Sequence, residues 1–202
     1  SKASNLTNIN LENILMIGNN AFEDCTKLNN VDLSNAYAIG RRAFANCTAL
    51  EYVDITALRN AGVETFMNCT NLKTIENGRY TNFSDHMFRN SGLTTLTYYA
   101  DRIPNNCFEN CDKLKDVKIE NNLVYVGSKA FYDCDSLNSV VFSENAGSEF
   151  IYKEAFAQCN LLDIVVLPNS DCYFEEKVFD DCLLSTKVEF QPLTFITGNE
   201  GN

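Results

Sequence analysis

The sequence predicts an α/β repeat solenoid, a right-handed stack of coils with a strand ladder on its concave face and short helical or 3₁₀ turns opposite. Three observations predict it. Eight phenylalanines (Phe22, Phe44, Phe66, Phe88, Phe108, Phe131, Phe156 and Phe179) recur at spacings of 22, 22, 22, 20, 23, 25 and 23 residues. They share surroundings of the form I-G-x-x-A-F-x-x-C-x-x-L-x-x-V-x-L, as in IGNNAFEDCTKLNNVDL from Ile17, IGRRAFANCTALEYVDI from Ile39 and VGSKAFYDCDSLNSVVF from Val126. The 202 residues are 45% hydrophobic and 21% charged, enough apolar material for a continuous core. A unit of this length cannot bury its own apolar side, so such periods signal stacked coils.

Each part of the unit follows from its residues. L-x-x-V-x-L, as in Leu28, Val31 and Leu33, ends in strand-like alternation with Val and Leu on one side. A turn follows, then a second short extended piece ending in Ile-Gly, such as Ile39-Gly40. In A-F-x-x-C the spacing of Phe to Cys suits one helical or 3₁₀ turn. Stacking places each Phe, Cys, Leu and Val on its equivalent in the next coil, with a rise of roughly 4.8 Å.

The pattern resembles leucine-rich repeats of the BspA-like, or Treponema pallidum, type. The resemblance runs from about Leu6 to Phe190 and rests on the A-F-x-x-C-x-x-L core. It departs locally. The Phe88 copy is one residue shorter and carries Ser91 for Cys, Pro104 and Tyr152 replace Gly, and Cys107 replaces Ala. Residues 1–202 are expected to be one solenoid of about eight repeats of 20–25 residues, preceded by a partial repeat, Leu6-x-x-Ile9-x-Leu11. Because terminal repeats usually need caps, the segment is expected to be part of a longer protein. The resemblance implies a secreted or cell-surface protein whose role is adhesion, with host matrix proteins such as fibronectin or fibrinogen, or other cells, as partners.

Composition narrows the chemistry. Twenty-seven acidic against sixteen basic residues give a formal charge of -11, which disfavours nucleic acid and anionic membranes. No apolar run approaches the roughly 20 residues of a membrane span. With one His and no Trp, and without a phosphate loop or nucleophile elbow, an enzyme is not expected, and neither is a cofactor. Seven of nine cysteines (Cys25, Cys47, Cys69, Cys111, Cys134, Cys159 and Cys182) share one repeat position. Pointing in parallel into the core, they are expected to be buried free thiols rather than disulfides or metal ligands. A Ser substituted among them is expected to destabilise by about 1–3 kcal/mol, because hydrogen-bond partners for a buried hydroxyl are scarce there. Cys172 is the thiol expected to be exposed, and His86 is expected to be a solvated residue of the helical turn. Asn5, Asn46, Asn68 and Asn82 head Asn-x-Ser/Thr sequons.

The outward face of the strand ladder remains as the candidate binding surface. There Asp32, Asp54 and Glu76 form an acidic column, Tyr52 and Tyr99 offer aromatic anchors, and Val141, Ile164 and Val166 form an apolar patch. A protein ligand is expected on these residues; the competing reading is an architectural spacer with no ligand of its own. Three carboxylates on an open strand face fall short of the oxygens a calcium site needs, so no metal is expected there.

Overall fold

The computed structural model describes residues 3–120, 123–143, 150–168, 172–183 and 186–190. The chain winds as a solenoid with three hydrogen-bonded columns along its length. The first holds the longer strands. β1 (Asn8–Ile9) pairs with β3 (Asn30–Val31), and β5 (Tyr52–Ile55) pairs with β7 (Thr74–Asn77). Then β8 (Thr95–Tyr98), β10 (Asp116–Ile119), β12 (Ser139–Phe142), β14 (Ile164–Leu167) and β16 (Lys187–Phe190) form one parallel sheet. Alternation works as the sequence implies: Val53, Ile55, Val117, Ile119, Val140 and Phe142 are buried while Tyr52, Asp116 and Lys118 face water.

The second column is built from the Ile-Gly segments. β2 (Met16–Ile17), β4 (Ala38–Ile39) and β6 (Asn60–Ala61) form one sheet. β9 (Arg102–Ile103), β11 (Tyr125–Val126), β13 (Phe150–Ile151) and β15 (Tyr173–Phe174) form another. The coil between β6 and β9 contributes no strand here, because its copy of the repeat departs from the Ile-Gly wording and sinks Thr81 and Phe83 inward. At Gly62 glycine is required by crowding rather than by φ. A Cβ on Gly62 would lie 2.1 Å from the backbone nitrogen of Arg41 one coil earlier.

The third column corrects the expected helical turns. Among the described residues there is no helix; A-F-x-x-C is a run of tight turns. Two residues per coil, four apart, hold positive φ, for example Arg42 (55°) and Asn46 (63°), then Glu64 (62°) and Asn68 (61°). The N–H groups explain why. Those of Ala43, Ala45 and Cys47 turn back to Gly40, Arg42 and Phe44, whereas those of Arg42, Phe44 and Asn46 reach Val63, Thr65 and Met67 in the next coil. A helix sends every N–H along its own axis. Here every second one binds the neighbouring coil, so even the turns are a ladder, and the architecture is a parallel-strand solenoid.

Between the columns lies the core. The eight repeat phenylalanines stack, with successive centroids 5.1 to 5.7 Å apart and ring planes within 19° of parallel. Cys25, Cys47, Cys69, Cys107, Cys111, Cys134 and Cys159 are buried free thiols, while Cys172 and Cys182 are half-buried.

Candidate functional site

The long-strand column brings the expected residues into register. Tyr52 lies opposite Thr74 and Asp54 opposite Glu76. Farther along, Val141 lies opposite Val166, and Ile164 opposite Ser139 and Lys187. Parallel pairing fixes these side chains about one coil apart, so the face is a rigid grid.

Two members of the acidic column have a local task. The Asp54 carboxylate accepts hydrogen bonds from the Thr56 amide at 2.9 Å and the Thr56 hydroxyl at 2.7 Å. Asp32 does the same for Ser34, at 3.0 and 2.6 Å, and these bonds hold its carboxyl below the usual range. Asp-x-Ser/Thr here is a turn-forming element that closes the strand. Glu76 makes no such turn. Partial desolvation and the adjacent Glu76 carboxylate, with Asp54 and Asp32 behind it, push the Tyr52 phenol up to about 12. Tyr52 is 39% exposed, whereas Tyr99, Val141, Ile164 and Val166 are half-buried, so the apolar patch presents less surface than its sequence suggests.

The long-strand ladder parts between β7 and β8, and a cavity of about 320 Å³ opens there. Glu76 and Tyr99 line it together with Thr56, Asn77, Thr95 and Thr97. The structure therefore joins Asp32, Tyr52, Asp54 and Glu76 in one cluster and brings Tyr99 to the same cleft, while Val141, Ile164 and Val166 sit separately on β12 and β14.

The turn column carries polar chains that repeat reading overlooked. Asn46 donates to Asp24 at 2.6 Å, Asn68 to Asn46 at 2.7 Å and Asn90 to Asn68 at 2.6 Å. The N-C-T wording that reads as sequons at Asn46 and Asn68 is thus an amide ladder. Beside it, Arg42 bridges Glu23 at 2.6 Å and Glu64 at 2.8 Å, and their hydrogen bonds to it hold both carboxyls low. His86 occupies a left-handed turn position (φ 58°) and is half-buried rather than fully solvated. Burial raises the thiols of Cys47 and Cys111 to about 12, which keeps them protonated and poorly nucleophilic. Among the described residues, no group of three His, Cys, Asp or Glu side chains is placed to hold a metal ion. No helix there is long and apolar enough to cross a membrane.

Stacked coils of about 22 residues, laddered on strands and turns, define a leucine-rich-repeat scaffold. The family model of the BspA type leucine rich repeat region matches residues 1–102 and 101–199, and the chain belongs to that family. Proteins built on such repeats are generally interaction modules. The fold is similar to a leucine-rich repeat protein from Eubacterium ventriosum, with TM-score 0.58 and 21% identity over 93% of this chain and 47% of that one. This chain therefore spans about half of that protein. It is also similar to the Treponema pallidum leucine rich repeat protein, with TM-score 0.53 and 25% identity over 80% of this chain and 67% of that one. No curated protein matches the chain.

Proposed function

We propose that this solenoid is a non-enzymatic protein-binding module of a secreted or cell-surface protein, and that it serves adhesion to host matrix proteins or to other cells. The carrying observation is the cleft between β7 and β8, where Glu76 and Tyr99 meet an in-register face that already holds Tyr52. A rigid face loses little entropy when a partner orders it. An exposed tyrosine with a carboxylate beside it suits a basic, partly apolar protein segment. Asp32 and Asp54 contribute negative field while remaining tied into their turns. Val141, Ile164 and Val166 extend the contact along the same face. Burial keeps the thiols of Cys47 and Cys111 protonated, which supports a non-enzymatic reading.

The test is binding to immobilised fibronectin and fibrinogen and to cells. Tyr52→Ala, Glu76→Lys and Ile164→Asp are each expected to weaken adhesion by about tenfold, with the thermal unfolding curve little changed. A wild-type chain that binds neither matrix protein nor cells supports the second reading, an architectural spacer. The use of Asp32 and Asp54 as internal turn formers favours that alternative.

A further inference from the structure

The short-strand column presents a different surface. Its outward and flanking positions carry Tyr37 (52% exposed), Tyr80 (71% exposed) and Tyr173 (55% exposed), with Phe150 and Met16 also exposed. Where this ladder is interrupted, between β6 and β9, two cavities of about 560 and 530 Å³ share Asn82 and Ala100 and so form one trough. It runs from Tyr37 on the second coil to Tyr125 on the sixth, a length of roughly 20 Å at one strand spacing per coil. Three guanidinium groups line it, one per coil: Arg59, Arg79 and Arg102. Arg59 stands 5.5 Å from the centre of the Tyr80 ring and Arg102 stands 4.8 Å from that of Tyr125.

These arginines break the rule followed by the others. Arg41 and Arg42 pair with Glu64, and Arg89 pairs with Glu109. Arg59, Arg79 and Arg102 form no ion pair among the described residues. Two carboxylates border the trough. Asp85 accepts the Asn105 amide at 3.0 Å, and Asp101 is exposed at the rim. The trough is therefore locally cationic on a chain of formal charge -11. Part of its backbone is engaged: the Asn60 amide binds the Tyr37 carbonyl, the Asn82 side-chain amide the Arg59 carbonyl, and the Val124 amide the Asp101 carbonyl. In the gap between β6 and β9 the intervening coil supplies side chains rather than a paired strand, so rings, guanidinium forks and carboxamides line the trough.

We propose that this trough binds a linear polyuronate, a polysaccharide bearing one carboxylate per sugar. Tyr37 and Tyr80 supply flat apolar platforms for sugar faces, while Tyr125, packed against Tyr152 at 4.6 Å and Arg102 at 4.8 Å, closes the end of the trough. Arg79 and Arg102 supply planar forks that grip carboxylates bidentately, and Arg59, whose Nη1 donates to the Thr56 and Leu58 carbonyls at 3.0 Å, adds a fixed positive charge. One guanidinium per coil matches one charge per sugar along an extended chain. This surface is separate from the protein-binding face proposed above and stands or falls independently of it.

The experiment is calorimetric titration of the 202-residue chain with polygalacturonate at low ionic strength, with neutral dextran and poly-glutamate as comparisons. Saturable binding to polygalacturonate is expected, weakening as salt is raised. Arg79→Glu, at an exposed position without an ion pair, should weaken it at least tenfold, as should Arg59→Ala combined with Arg102→Ala. Tyr80→Ala should weaken it several-fold, whereas Tyr52→Ala on the other face should leave it unchanged. The proposal is overturned by absent binding, by equal binding of dextran or of poly-glutamate, or by indifference to Arg79→Glu in a variant that unfolds at the wild-type temperature.

Discussion

The thiol of Cys69 donates a hydrogen bond to the backbone carbonyl of Phe44, one coil earlier, at 3.2 Å. The same bond recurs from Cys47 to Phe22, Cys111 to Phe88, Cys134 to Phe108, Cys159 to Phe131 and Cys182 to Phe156, at 3.0 to 3.3 Å. The repeat cysteine therefore stitches each coil to the one before it, beside the stacked phenylalanine rings.

That bond gives a hydroxyl in this column one acceptor, where the sequence leads one to expect few. Ser91 occupies the column naturally, buried, with its oxygen 3.3 Å from the Cys111 sulfur. Cys69→Ala should cost about 1–2 kcal/mol, combining a lost hydrogen bond with a small cavity. The Phe44 carbonyl also accepts the Cys47 amide, which keeps the cost at that level. Cys69→Ser, able to donate to the same carbonyl, should cost less. Urea unfolding of the two variants checks the order; a serine variant less stable than the alanine one would refute the stitch.

Alkali should unfold the protein through these thiols. Burial raises Cys47 and Cys111 from an ordinary value of 9.0 to about 12, and Cys182 to about 11. Their folded values lie above their unfolded ones, so the contribution is fully present below about pH 9. It is lost as pH rises from there toward the folded values, because the unfolded chain releases those protons first. Each such thiol adds up to about 1.4 kcal/mol of lost stability per pH unit. Cys47→Ala should flatten the pH dependence of the unfolding midpoint above pH 9 by one proton. At neutral pH a thiol reagent should label Cys172 and Cys182 in the native protein and all nine cysteines after denaturation, as read by peptide mapping.

The amide ladder makes two of the four sequons structural. Asn68 donates to Asn46 and accepts from Asn90 at positive φ, a conformation that asparagine tolerates better than most residues. Asn68→Ala should cost about 2–3 kcal/mol through two lost hydrogen bonds and a left-handed alanine. Folded protein from a glycosylating host should carry sugar at exposed Asn5 but not at Asn46 or Asn68, whose amide nitrogens are engaged. Glycan found at Asn68 in natively folded material would disprove the ladder.

Repetition alone made the solenoid legible. Eight Phe-centred copies fixed the coil length, the strand register and the burial of Val, Leu, Phe and Cys, because stacking identical units leaves one way to bury their apolar sides. The family resemblance rested on the same residues. Tertiary structure decided what neighbouring coils do to each other. The turn became a ladder rather than a helix because alternate N–H groups found carbonyls in the next coil, at a distance only stacking creates. Asp32 and Asp54 were spent on their own turns, which charge counting along a face cannot register. Arg59, Arg79 and Arg102 lie 20 and 23 residues apart in the chain. They meet in one trough because a short coil withholds its strand, so their convergence belongs to the winding of the chain and not to any local motif.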